Sequence, residues 1–179
     1  PYFSAAKIAW IFENAEGARQ KENLCCGTID SWLVFRLTGG KEFKTDASNA
    51  SRTQLFNIER LAWDPEICRM FGIPVPCLAQ VCGSDERFGQ TDLEGFLDRP
   101  VPIHAVLGDS HGALFGQDCR RPGMGKATYG TGSSVMLNTG EKPVFSKNGL
   151  ATSLAWSIGG TVNYVLEGNI NYTGSVIGW

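Results

Sequence analysis

The feature that most constrains this chain is residues 103–119, IHAVLGDSHGALFGQDC. The apolar run Ile103 to Leu107 reads as a buried strand, and Gly108-Asp109 reads as a tight turn. Ser110 to Cys119 then reads as a helix whose small residues, Gly112, Ala113 and Gly116, allow close packing. A strand, a turn and a helix in immediate succession point to an α/β fold.

The segments on either side supply further elements. Ser4 is placed to cap a helix whose apolar residues Ile8, Ile11, Phe12 and Ala15 recur at helical spacing, with Gly17 suited to its end. Thr28 starts a second helix through Ile29, Trp32, Leu33, Phe35 and Leu37, closed by Gly39 and Gly40. Asp64 followed by Pro65 is a cap plus a first-turn proline, predicting a short helix that ends at Gly72. Pro74 to Pro102 reads mostly as loop.

Arg120-Arg121-Pro122-Gly123 punctuates the chain, and a domain boundary is expected there, dividing residues 1–121 from 122–179. Beyond it the period shifts towards two, predicting strands at 126–129, 133–138, 150–156 and 162–166. Turns at Gly130 to Gly132, Thr139 to Lys142 and Gly159-Gly160 would join them into a meander. Gly168 to Trp179 reads as the start of a new helix.

Composition excludes several classes of function. The 179 residues are 42% hydrophobic, enough for a real core. Sixteen basic and 18 acidic residues give a net charge of -2 without a clustered basic run, so a nucleic-acid partner is not expected. No apolar stretch approaches the roughly 20 residues of a membrane helix, and no charged-then-apolar leader opens the sequence, so the cytoplasm is the expected compartment. The six cysteines, at 25, 26, 68, 77, 82 and 119, lack paired C-x-x-C spacing, and only His104 and His111 accompany them. Reduced thiols are expected, with neither a disulfide framework nor a thiol-held metal. The chain opens at Pro1 and stops at Trp179 inside the expected last helix, so it reads as part of a longer protein.

Gly108-Asp109-Ser110-His111-Gly112 fits two incompatible chemistries. As G-x-S-x-G it matches a nucleophile elbow, with Ser110 attacking a carbonyl. A hydrolase of that kind needs a histidine after the serine and its acid, but none follows His111, and no HGGG-type element stands upstream. Alternatively, Asp109 is a carboxylate at a strand's C-terminal end, where open α/β sheets place their ligands. There it would accept the proton of an attacking hydroxyl. Some twenty residues on, Tyr129-Gly130-Thr131-Gly132-Ser133-Ser134 offers a turn whose amides and hydroxyls suit phosphate oxygens. Each motif also has a purely structural explanation: Asp109 as a helix N-cap, and Gly130-Thr131-Gly132 as a turn needing positive φ.

More extensive similarity separates these alternatives. Tyr2-Phe3-Ser4-Ala5-Ala6-Lys7-Ile8-Ala9-Trp10-Ile11-Phe12-Glu13-Asn14 resembles a signature segment of the FGGY carbohydrate kinases. GTIDSWLVFRLTGG, TDASNASRTQLFNI, WDPEICRMFGIP, GDSHGALFGQ, KATYGTGSSVMLNTGEK and VNYVLEGNI are similar, in order and spacing, to successive stretches of that family's glycerol branch. The resemblance implies an actin-like, ribonuclease-H-like pair of α/β domains, with Mg-ATP and substrate in the cleft between them. Residues 1–121 would then close the first, substrate-side domain and 122–179 would open the nucleotide-side domain. The family's other binding segments lie outside the sequence, so this fragment alone is expected to be inactive.

By resemblance, Asp109 matches the catalytic aspartate and Tyr2 a tyrosine on the substrate hydroxyls, with Ser110 and Ser134 also at the substrate. Gly130, Thr131, Gly132, Gly174 and Gly178 match the nucleotide site. The implied partners are ATP, Mg2+ and a small polyol or sugar, with a homo-oligomer compatible. Three positions depart from the glycerol pattern: Ser110 and Gly178 replace glutamines, and Ser134 replaces a phenylalanine. Without that ring the substrate site has room for a larger polyol or a ketose of the xylulose or ribulose type.

Overall fold

In the computed structural model, which describes residues 3–178, α1 (Ser4–Asn14) buries Ala5, Ile8 and Phe12, the helical spacing that the sequence shows. Its cap position is Phe3, and Ser4 is the first helical residue rather than the cap. The helix start is tied instead by the Ala5 amide, which donates to Thr53 O at 3.0 Å. Gly17, with φ +71°, turns the chain into a short 3₁₀ segment, Ala18–Gln20.

The chain forms two compact units, Pro1–Val106 and Leu107–Trp179. In the first, the α1 residues share a core with Ala18, Leu55, Cys68, Ile73 and Leu78. α2 (Ile29–Leu37) turns Val34 inward against Cys82 and Phe88, while Ile29, Trp32 and Leu33 remain exposed. β1 (Lys44–Asp46) leads directly into α3 (Ala47–Ala50). β2 (Phe56–Asn57) and β3 (Ala62–Trp63) form a small antiparallel pair. α4 (Pro65–Met70) begins where the sequence predicts, with the Asp64 carboxylate accepting from the Glu66 and Ile67 amides.

The stretch expected to be loop contains two three-residue strands and the start of a third. β4 (Gln80–Cys82) runs parallel to β1, and β5 (Gly89–Thr91) pairs antiparallel with β6 (Val101–Ile103). Strands this short carry no readable period. The strand expected over 103–107 ends at Ile103, and the Val106 amide donates to Ser84 O at 3.1 Å instead of to a ladder.

The second unit is a helix on an antiparallel sheet. α5 (Asp109–Gly116) places Leu114 against Met136, Ala155, Trp156 and Val165. That sheet comprises β7 (Gly125–Tyr129), β8 (Ser133–Gly140), β9 (Ala151–Ile158) and β10 (Thr161–Ile170). Their order is β7-β8-β10-β9, so the expected meander is corrected: β10 lies between β8 and β9. The final helix is also shorter than expected, because β10 continues to Ile170 and α6 spans only Gly174–Ile177. The sequence marks a boundary at 121/122, whereas the compact units divide at 106/107 because α5 packs on this sheet. No helix among the described residues is long and apolar enough to cross a membrane.

Candidate active site

Asp109 is the first residue of α5, following Gly108 at the cap position. Its exposed carboxylate is not the N-cap, which has no side chain here; Oδ1 accepts from the adjacent Ser110 amide at 2.7 Å. An acid in a helix's first turn is favoured by the uncapped amides there. The result is a solvent-facing carboxylate fixed in place by a helix whose other end is anchored in the core.

Ser110 does not sit in a hydrolase arrangement. His111 is buried, and its Nε2 lies 3.4 Å from Ser153 Oγ on β9. The imidazole thus faces the sheet, no base is bonded to Ser110 Oγ among the described residues, and a serine so placed is a weak nucleophile.

The glycine turn between β7 and β8 is built by close backbone approach. Thr173 and Gly174 donate their amides to Thr131 O and Gly130 O, both at 2.9 Å. A Cβ on Gly174 would meet Gly130 O at 2.5 Å, and one on Gly132 would meet Ile170 O at 2.6 Å. Both positions therefore need glycine for space. The structure brings Gly130, Thr131, Gly132 and Gly174 together. Not every donor expected for phosphate is open, since Gly130 N–H donates to Gly132 O at 2.8 Å and Ser133 Oγ to Thr173 Oγ1 at 2.8 Å. The exposed hydroxyl of the turn is that of Thr131.

Gly178 follows α6 as an exposed cap, and a Cβ there would meet only Ser175 O, at 3.8 Å, so space does not demand glycine. Tyr2 lies outside the described residues. Ser134 is half-buried on β8 and donates to Glu167 Oε1 at 3.1 Å.

The motifs give no hint of Lys126 and Glu167, each only 4% exposed on this sheet. The Lys126 ammonium donates to Thr128 Oγ1 at 2.8 Å. Burial pushes its pKa below the ordinary lysine value, while the carboxylates of Glu167 and Asp109 favour the charged form. The sequence carries no signal for this, because Lys126 alternates with Ala127 and Tyr129 and so reads as solvent-facing.

The first unit has a surface cavity of about 450 Å³ beside Phe35, Gly40 and Glu94, and another of about 320 Å³ beside Phe12, Leu24 and Cys25. Neither contains a predicted site residue. The Cys26 thiol is pushed up to about 11 by burial, with Cys77 and Cys25 adding to the shift, which makes it a poor nucleophile.

Comparison with known proteins gives this geometry its class. The N-terminal domain of the FGGY family of carbohydrate kinases matches residues 1–116, and the chain belongs to that family. Over 99% of its length it is 51% identical to the glycerol kinase of Carboxydothermus hydrogenoformans and 53% identical to that of Bacillus cereus. It spans 36% of the length of each. Among solved structures, Plasmodium falciparum glycerol kinase with ADP matches with a TM-score of 0.90 at 37% identity, over 99% of this chain and 36% of that one. A xylulose kinase from Lactobacillus acidophilus matches with a TM-score of 0.80 at 19% identity, again over 99% and 36% of the two chains, a likeness of fold alone. The fold is that of the FGGY carbohydrate kinases, the actin-like α/β architecture expected from the sequence.

Proposed function

We propose that the full-length protein transfers the γ-phosphoryl group of ATP to a terminal hydroxyl of glycerol or a closely related small polyol. The observation that carries this reading is the match to glycerol kinases at about half identity across 99% of the chain, including an exposed Asp109 at the start of α5.

In this reading Asp109 accepts the proton of the acceptor hydroxyl as its oxygen forms a bond to the γ-phosphorus. The bond from that phosphorus to the bridging oxygen breaks, and ADP leaves. Thr131 and the turn around it face the nucleotide phosphates, with Gly174 holding the turn's shape. Among the described residues no three acidic, histidine or cysteine groups converge to hold a metal, so no step is assigned to Mg2+. It would enter with the nucleotide, and the reaction is placed in the cytoplasm.

A second reading is favoured by Ser134. Its hydroxyl and the flanking Thr128 and Asn169 line one side of the sheet with polar groups, which suits an acceptor carrying more hydroxyls, such as a ketose. A panel of polyols, ketoses and aldoses, tested with the full-length protein and ATP in a coupled ADP assay, separates the two. Highest kcat/KM on glycerol supports the first reading, preference for a five-carbon ketose supports the second, and no acceptor-dependent ADP release overturns both.

A further inference from the structure

The first unit brings Cys25, Cys26 and Cys77 to one place, and the chemistry proposed above does not use them. Cys26 forms an isolated parallel bridge with Leu78, and the Cys26 amide donates to Cys77 O at 2.7 Å. The Cys26 side chain packs with Leu78 in the α1 core. One step back along the same register, Cys25 stands opposite Cys77, the last residue of a 3₁₀ turn over Val75–Cys77. The 2.7 Å bond joins the peptide unit that follows Cys25 directly to the one that follows Cys77. Paired strands run about 4.8 Å apart, inside the roughly 4.4–6.8 Å between Cα atoms that a disulfide spans.

Exposure divides the three thiols by role. Cys25 is exposed, at the edge of the cavity lined by Ile11, Phe12 and Leu24, whereas Cys26 and Cys77 are half-buried. A dissolved oxidant therefore meets Cys25 first. Its sequence neighbour Cys26 is a poor partner, because adjacent Cα atoms are only about 3.8 Å apart, short of a disulfide's span. Cys77, across the pairing, has no such constraint. Burial raises the Cys77 pKa, and the charge of Cys25 adds to the shift. Oxidation of Cys25 to a neutral sulfenic acid removes that charge, so Cys77 ionises more readily at the moment it must attack.

We propose that Cys25 and Cys77 are a redox-sensitive dithiol: a hydroperoxide oxidises Cys25, and Cys77 closes the product into a disulfide that ties the chain before α2 to the turn before β4. In the first step the Cys25 thiolate attacks the outer peroxide oxygen; an S–O bond forms, the O–O bond breaks, and the departing oxygen takes up a proton. In the second the Cys77 sulfur attacks the Cys25 sulfur; the S–S bond forms, the S–O bond breaks, and the hydroxyl leaves as water with the Cys77 proton. Two thiols lose two electrons, and one hydroperoxide becomes an alcohol (or water) plus water. A thiol reductant reverses the closure, as for the transient disulfides of reducing compartments. The inference is independent of the phosphoryl-transfer reading.

The test uses the full-length protein, reduced, exposed to hydrogen peroxide, alkylated, digested and read by mass spectrometry. The expected product is a Cys25–Cys77 disulfide that dithiothreitol reopens. Cys26→Ser should keep this linkage, and Cys25→Ser should abolish it while leaving Cys77 as a free thiol. Closure should also be at least about tenfold faster in folded protein than in urea, because the fold holds the two residues together. Should Cys26→Ser fail to fold, fragmentation of the wild-type linked peptide separates Cys25 from Cys26. A Cys25 that stays reduced, passes to sulfinic or sulfonic acid with Cys77 still free, or links to Cys26 overturns the proposal, as does closure equally fast in urea.

Discussion

Asp46 and Asp109, one in each compact unit, both stand at the start of a helix, and they are used in opposite ways. Asp46, at the β1–α3 junction, is fully buried. Its carboxylate accepts from the Ser48 and Asn49 amides at 3.0 and 2.9 Å, and from Ser48 Oγ, Asn49 Nδ2 and Ser84 Oγ at 3.0, 2.7 and 2.8 Å. Asp109, at the start of α5, is exposed and bonds the neighbouring Ser110 amide. The residue type is the same and the positions are one apart, Asp46 being the cap of α3 and Asp109 the first helical residue of α5. The larger difference is how far the fold consumes the carboxylate's acceptor capacity, and the acceptor capacity left open at Asp109 supports its proposed role as the base.

The largest effect that would sharpen this contrast is on rate. Asp109→Asn in the full-length protein should lower kcat by about 10²–10⁴-fold with little change in melting temperature. Asp46→Ala should do the reverse, costing about 2–4 kcal/mol of stability in denaturant titrations through the loss of a cap and several charged hydrogen bonds. Burial raises the Asp46 pKa above its ordinary value of 3.8, against the opposing pull of its hydrogen bonds. The folded state therefore binds that proton more tightly than the unfolded chain. The Asp46 contribution to stability is present below the unfolded value and is lost as pH rises through the raised folded one. Asp46→Asn should flatten that part of the acid stability profile, and an unchanged profile would remove Asp46 from it.

A smaller effect concerns specificity. Ser134→Phe should shift the kcat/KM ratio towards glycerol and away from five-carbon ketoses by roughly tenfold, since a ring fills space that longer acceptors need. An unchanged ratio would show that this position does not face the acceptor. Smallest is Ser110→Ala, expected to lower kcat/KM only a few-fold through KM. Loss of all turnover there would break the contrast by making the serine the reacting group.

Much of this was legible locally. Asp64-Pro65 announced α4 because a cap and a first-turn proline act within one turn, and Gly130 to Gly132 and Gly159-Gly160 announced hairpins because tight turns need such residues. The insertion of β10 between β8 and β9 was not legible, because pairing across a sheet depends on distant partners. β4 to β6 were too short to show a period. In the candidate site, Asp109 and Thr131 stood out through their motifs, whereas Lys126 and Glu167 were hidden. A lone charge in a strand reads as solvent-facing, and only the register that sets both opposite Met136 reveals their burial.

The most direct measurement is the phosphoryl-transfer step itself in a single turnover, with full-length wild-type and Asp109→Asn proteins both saturated with ATP and acceptor. The predicted result is transfer slowed at least about a hundredfold in the variant, with nucleotide affinity preserved. Transfer at the wild-type rate would contradict the assignment of Asp109 as the base.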